Sequence, residues 1–548
     1  MTQTIIIRTV LVLLVIIWFS CLGHRDLIAP DEARYSEIPR EMIASGDWLT
    51  PHLNGFKYFE KPALQYWLTA ISFKLFGQSN AIARLWMTIA GFLCALFIGF
   101  LTSRLKDPSH PDRQAGLFSF VITLTMVAFI LFGHILTLDM SVTLFLTLST
   151  GSLILAQLHR HRPQVNRNWM LLGWVAMALA VLSKGLIGVL LPCGAVFFYM
   201  LWQRAWQILR HLHIIKGVIV FLLVGAPWFI AVSLVNPEFA HFFFIHEHFE
   251  RYSTMVDNRP GSIIYFIPVF LLGVSPWLVT ALKVIFKPDF SWKPSVNEKF
   301  NAQRFIWVYI VMIFLFFSLS HSKLPAYILP IFPFIAVLSS LRLRQQLSLG
   351  KEYWTLAVLG IICLISGIII TRFATPTIPA ELFAHYRPWI ISSALIMLAG
   401  AGLMRYWRYL PVPAVLAGGT AMLLSLQFLL VGLQTIAPAR SAVAEAAVIR
   451  QSVATNVPVY ALNFYPQSLP FYLKRTIKLV GTTGELEMGI KADPTNWLPD
   501  LQHFAQQWQQ HKQAVAIMKK PTYDKLIAMQ LPMRLIYKGV SNIVVVRF

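Results

Sequence analysis

The chain alternates long apolar runs with short polar loops. The runs have roughly 17–22 residues, the length a helix needs to cross about 30 Å of hydrocarbon. About thirteen are read, near 5–23, 83–103, 115–133, 136–157, 169–182, 185–202, 217–235, 263–286, 305–320, 325–341, 354–371, 389–404 and 412–434. This pattern predicts a polytopic α-helical membrane protein. The first loop, 24–82, is long enough to hold structure of its own. Within it, 32–45 and 62–76 are too short or too polar to span, and are expected to lie at the interface as amphipathic helices. Gly46-Asp47 ends the first, and Asn54-Gly55 reads as a turn. Beyond about residue 437 the pattern becomes that of a soluble domain. Strands are predicted over 457–462, 476–480, 514–518, 533–537 and 542–546, with helices over 441–454, 468–473, 496–510 and 523–529. Such alternation points to a small α/β domain. The expected organisation is a membrane region, 1–435, followed by that domain, 436–548.

Composition sharpens the class. Hydrophobic residues make up 57% of the 548 and charged residues 13%, against about 25% charged in soluble proteins. The formal charge of +22 raises nucleic acid as a partner, but the placement of the charges argues against it. Lys and Arg recur in alternate loops, at 104–113, 160–167, 204–216, 287–304, 342–351 and 405–408, as cytoplasmic loops do. The first run follows Arg8 and lacks a convincing small-residue cleavage site, so it reads as an uncleaved signal anchor. The first loop, the loop at 237–262 and the C-terminal domain are then expected to face outward. Cys21, Cys94, Cys193 and Cys363 lie in or beside apolar segments and read as small buried residues, with no disulfide expected. No Walker loop, GxGxxG, DxD or CxxC occurs. A donor that arrives through the bilayer therefore fits better than a nucleotide sugar.

The first loop gathers unusual chemistry for so apolar a chain. Pro30-Asp31-Glu32-Ala33-Arg34-Tyr35 and Tyr58-Phe59-Glu60-Lys61-Pro62 place carboxylates, cations and tyrosines together near the bilayer, where charge is costly unless functional. Asp31 and Glu32 are candidate catalytic carboxylates, although Asp31 alone could be an N-cap. Arg34 and Lys61 would hold a phosphate leaving group, and Tyr35 and Tyr58 offer stacking surfaces with hydroxyls. Other outward ends add Asp139, Lys184, Arg251, Lys323 and Tyr327. Lone lysines at helix ends ordinarily snorkel, but Lys61, Lys184, Arg251 and Lys323 on one face are better explained by an anionic ligand. His246 and His248, at i,i+2, are a weak metal signal beside Glu60.

These motifs, with Gly46-Asp-Trp48, Ser183-Lys-Gly185, Glu247-His-Phe-Glu-Arg-Tyr252 and Lys323-Leu-Pro-Ala-Tyr-Ile-Leu-Pro330, resemble the GT-C glycosyltransferases of the protein O-mannosyltransferase-like group. Within it they are most like the bacterial lipid A 4-amino-4-deoxy-L-arabinose transferases. The resemblance covers the first ~340 residues and is carried mainly by the first-loop motifs. It implies an inner-membrane enzyme with a periplasmic site, an undecaprenyl-phosphate sugar donor, and lipid A phosphate as acceptor. By motif it implies Asp31 as the essential aspartate and Arg34 and Lys61 as donor-phosphate ligands. Tyr35, Tyr58 and Tyr327 become the sugar pocket, to which Asp139 is added. It implies that Glu60 and His248 form a structural zinc site, with His246 as an added candidate and no cofactor needed for the chemistry. Two other readings stand beside it. One is transfer of a hexose to protein or another glycan. The other is a flippase of lipid-linked sugar, which predicts mid-membrane ionisable groups and repeat symmetry; the sequence shows neither.

Overall fold

The computed structural model describes residues 2–250, 261–292, 300–346 and 348–548, without the side chains of 2–4 and 246–250. The chain begins with helix α1 (Thr2–Phe19). The first loop then folds as α2 (Asp31–Ser45), a hairpin of β1 (His52–Leu53) and β2 (Phe56–Lys57), and α3 (Leu64–Phe76). There follow α4 (Asn80–Arg104), α5 (Arg113–Thr125), α6 (Val127–His134), α7 (Asp139–Leu158), α8 (Pro163–Lys184) and α9 (Ile187–Gln203). Among the described residues, nine helices are long and apolar enough to cross a membrane, and the α5–α6 pair makes a tenth, bent by 61°. All thirteen apolar runs are helical, but not all have spanning length. The α1 and α9 helices are shorter, and the 263–286 run breaks into Phe266–Gly273 and Leu278–Phe286. Hydropathy marks apolar length and does not register such breaks.

The turn at Asn54-Gly55 forms as expected, with positive φ at both residues (55° and 80°), the requirement of a two-residue hairpin loop. Glu41 of α2 accepts from both turn amides at 2.6 and 2.9 Å. The expectation of an interfacial α2 is corrected: every residue from Glu32 to Met42 is buried. The polar residues of this stretch are taken up by internal ion pairs and by the C-terminal domain, so it has no solvent face between Glu32 and Met42. Asn54 locks loop to domain, donating to the Ile477 carbonyl at 2.9 Å and accepting from its amide at 2.8 Å. Tyr472 accepts from the Leu27 amide at 2.8 Å and donates to Asn80 at 3.1 Å.

The C-terminal domain is a six-stranded sheet of order β5-β4-β3-β6-β8-β7. Its strands are β3 (Val459–Leu462), β4 (Lys478–Val480), β5 (Trp497–Leu498), β6 (Ala514–Met518), β7 (Arg534–Lys538) and β8 (Ile543–Arg547). The first four in that order are parallel, and β8 runs antiparallel to both β6 and β7. Central strands β3 and β6 are wholly buried, as strands covered on both faces are. The two-residue β5 falls inside the helix expected over 496–510. That helix starts only at Leu501, where Asp500 caps it by accepting from the amides of Gln502 and His503.

Glu32 ties the first loop to the membrane helices. Its carboxylate, 2% exposed, accepts from Arg25 at 2.7 and 2.8 Å and from Arg84 of α4 at 2.8 and 3.0 Å. It also accepts from the amides of Ile28 and Leu136. Burial alone would raise its pKa, but the charges of Arg84 and Arg25 reverse this and hold it at about 2. Stability from this depressed group is present above the ordinary carboxyl value and is lost as pH falls toward about 2. Glu32→Gln leaves two buried guanidinium groups undercompensated. It should cost about 3–5 kcal/mol and lower the unfolding temperature in detergent; an unchanged temperature would contradict the clamp.

Candidate active site

Pinning Glu32 inward turns its neighbour outward, because successive helical side chains diverge by about 100°. Asp31, at the first turn of α2, has a half-exposed side chain that lines a cavity of about 380 Å³. The cavity is bounded by the start of α2, the Glu60-Lys61 loop, the α6–α7 junction, the end of α8, the start of α9 and the segment 316–330. Its lining combines polar residues, among them Asp31, Arg34, Glu60, Lys61, Asp139 and Lys184, with apolar ones, among them Val142, Ile187, Leu191, Phe316, Phe317 and Leu324. Such a mixed lining suits a ligand with a charged head and a hydrocarbon tail.

Arg34 is the hub of the polar side. It donates to the Tyr58 hydroxyl at 2.8 Å and forms ion pairs with Asp31 at 3.4 Å, Glu60 at 3.6 Å and Glu485 at 2.6 Å. Its Nε is buried with no hydrogen-bond partner among the described residues, a donor still open to an oxyanion. Lys61 donates to the Glu60 carbonyl at 2.7 Å and lies 4.0 Å from the Glu60 carboxylate. Lys184 pairs with Asp139, and its ammonium sits 5.0 Å above the centre of the Tyr327 ring.

The structure thus brings Asp31, Arg34, Tyr35, Glu60, Lys61, Asp139, Lys184 and Tyr327 into one cavity. Three other expected site residues are placed elsewhere. Glu32 is consumed by Arg25 and Arg84 and cannot reach a substrate. Tyr58 does not line the cavity; it stands behind Arg34 and orients it. Burial first, then the Glu60 charge, push its phenol up, so it stays protonated. Lys323 is buried, and its ammonium donates to the carbonyls of Ser318 at 2.8 Å and Ser320 at 2.6 Å, at the end of helix Ala302–Leu319. It caps a helix C-terminus and holds no phosphate there. Arg251 and the side chains of His246 and His248 lie outside the described residues. Glu60 faces two cations, and no group of three His, Cys, Asp or Glu side chains fit to hold a metal occurs among the described residues.

Glu485 was not legible in the sequence. It sits in a short helical turn, Gly484–Leu486, of the C-terminal domain. Nothing in Thr482-Thr483-Gly484-Glu485-Leu486 marks it, and only the fold carries it to Arg34. Arg84 left a fainter trace, as a lone charge early in an apolar helix.

Comparison with known proteins agrees with this geometry. A profile described as dolichyl-phosphate-mannose-protein mannosyltransferase matches residues 4–243, and one described as aminoarabinose transferase C-terminal domain matches 445–547. An undecaprenyl phosphate-alpha-4-amino-4-deoxy-L-arabinose arabinosyl transferase of Edwardsiella ictaluri is 30% identical over 532 residues, covering 93% of this chain and 92% of the relative. The chain belongs to this arabinosyl transferase family. A second member, from Erwinia tasmaniensis, is 30% identical over 72% of this chain and 69% of its own length. The crystal structure of ArnT from Cupriavidus metallidurans bound to undecaprenyl phosphate superposes with a TM-score of 0.91 at 32% identity, covering 98% of this chain and 97% of that one. The GT-C membrane fold expected from the resemblance is therefore that of the arabinosyl transferases.

Within that family fold, Glu485 occupies the Arg34 guanidinium, the cation expected from the motifs to hold the donor phosphate. Burial pushes its carboxyl up, against the pull of Arg34. Protonation therefore sets in above the ordinary carboxyl range and loosens its hold as pH falls. Undecaprenyl phosphate should bind Glu485→Gln about 3- to 10-fold more tightly than the native chain, and the gap should narrow as pH falls. Calorimetric titration across pH checks both; weaker binding by the variant would show that Glu485 serves to position Arg34.

Proposed function

We propose that the protein transfers 4-amino-4-deoxy-L-arabinose from undecaprenyl phosphate to a phosphate of lipid A, at the periplasmic face of the inner membrane. The observation that supports this most is the mixed lining of one cavity, which holds the cations Arg34, Lys61 and Lys184 together with apolar side chains such as Ile187, Leu191 and Phe317. A prenyl phosphate has those two parts. The near-full-length likeness to named arabinosyl transferases supplies the sugar.

In the reaction the bond between the sugar's C1 and the donor phosphate oxygen breaks, and the phosphate leaves with the electron pair. An acceptor oxygen bonds to C1. The transition state carries oxocarbenium character, as in glycoside hydrolysis. Arg34, Lys61 and Lys184 stabilise the charge that grows on the leaving phosphate. A lipid A phosphate is already anionic near neutral pH and needs no base. The Asp31 carboxylate then faces the developing positive charge of the sugar ring and orients the reacting groups. A hydroxyl acceptor would instead require Asp31 to remove a proton.

The structural zinc implied at Glu60 and His248, with His246 beside them, is a further part of this proposal and takes no step in the reaction. Elemental analysis tests it. One zinc per chain, lost in His248→Ala, supports the site; active protein free of zinc discards it.

Asp31→Asn should lower transfer with purified donor and acceptor by about 10²- to 10⁴-fold without lowering the unfolding temperature. Intact activity would refute the role of Asp31. Mass spectrometry of lipid A from cells with and without the gene tests the reaction itself. An aminopentose that depends on the gene supports it, and hexose on protein or another glycan redirects it.

A further inference from the structure

The Lys184 side chain shows how this cavity accommodates a primary ammonium. Its nitrogen is paired with the Asp139 carboxylate and sits 5.0 Å from the centre of the Tyr327 ring, over its face. A carboxylate and an aromatic face are the two elements that recognise a desolvated cation. They come from separate parts of the fold, the start of α7 and the 3-10 turn Pro325–Ile331, while Lys184 comes from the last turn of α8. Asp139 and Lys184 are each only 14% exposed, so leaving either without a partner would be costly.

A 4-amino-4-deoxy sugar joined to phosphate through C1 carries charge of both signs, with anion and ammonium at opposite ends of the ring. The C4 nitrogen is chemically the same group as the lysine nitrogen. We propose that Asp139 and Tyr327 form the subsite for the sugar's C4 ammonium, and that Lys184 holds this place until the donor arrives. The donor ammonium then takes Asp139 and the Tyr327 face. Lys184, on its flexible four-carbon stem, moves to the leaving phosphate beside Arg34 and Lys61. No bond is made or broken, and every buried charge keeps a partner of opposite sign. A donor with a neutral C4 substituent cannot drive the exchange. Lys184 then stays on Asp139, and the phosphate departs without it. Asp139 is thereby a specificity-determining residue. Asp31 and Glu60 are less suited to that part, because both already lie within 4 Å of Arg34, at the phosphate end.

The inference rests on the proposed transfer reaction, and two donors separate their fates. Full-length protein in lipid nanodiscs is assayed with undecaprenyl-phosphate 4-amino-4-deoxy-L-arabinose and with undecaprenyl-phosphate L-arabinose, which carries a C4 hydroxyl. The native chain should prefer the amino donor at least about tenfold in kcat/KM. Asp139→Asn should bring the ratio to within about threefold of unity, and Tyr327→Leu should lower it several-fold. A native ratio near one overturns the subsite. So does a ratio preserved in both variants while each loses activity equally toward the two donors. If Asp139→Asn fails to fold, Tyr327→Leu decides alone. A native chain that transfers neither sugar overturns the reaction, and the subsite with it.

Discussion

The site depends on one buried ion cluster. Glu32 lies between Arg25 and Arg84, which belong to the first loop and to α4, and it also accepts an amide from the α6–α7 junction. Three pieces of backbone are thus fixed relative to the first turn of α2. Two carboxylates that are adjacent in sequence are given opposite environments. The inner one is held ionised between two guanidinium groups. The outer one is left open to the cavity. Breaking a buried pair is far more costly than the pair itself is stabilising, so the arrangement acts chiefly to specify geometry. Without it, α2 could rotate about its axis and Asp31 would leave the cavity.

The same logic recurs around Arg34. A single guanidinium is shared by the Tyr58 hydroxyl and by carboxylates from α2, from the Glu60-Lys61 loop and from the C-terminal domain. Substrate-free, the terminal nitrogens of the cation are engaged and only its Nε has no partner among the described residues. On the proposed reading, an incoming phosphate would not be drawn to a bare charge but would exchange for carboxylates that already stand there. The C-terminal domain would take part in that exchange through Glu485, which pairs with Arg34, and is held in register by Asn54 and Tyr472. Its sheet is thus more than an appendage to the membrane helices.

Much of this was readable in the chain. The length of the apolar runs gave the membrane class, and the density of charge in the first loop pointed to Asp31, Arg34, Glu60 and Lys61. What failed did so for identifiable reasons. Adjacent carboxylates look equivalent in sequence, and only the distant Arg84 tells Glu32 from Asp31. A lysine on the expected outer face reads as a phosphate ligand, yet Lys323 is spent on the carbonyls of its own helix end. Tyr58 carries the chemistry of a sugar platform but is buried behind Arg34. Glu485 is invisible because its role arises from domain packing, which leaves no local pattern. Strand β5 was missed because two residues are too few to show a period.

The most direct test of the central claim is an experimental structure of the protein with undecaprenyl phosphate bound. The phosphate oxygens should lie within about 3 Å of Arg34 and Lys61 nitrogens, with Asp31 facing the same space and Glu32 still clasped by Arg25 and Arg84. A phosphate bound elsewhere, with Asp31 turned away and Glu485 still on Arg34, would contradict it.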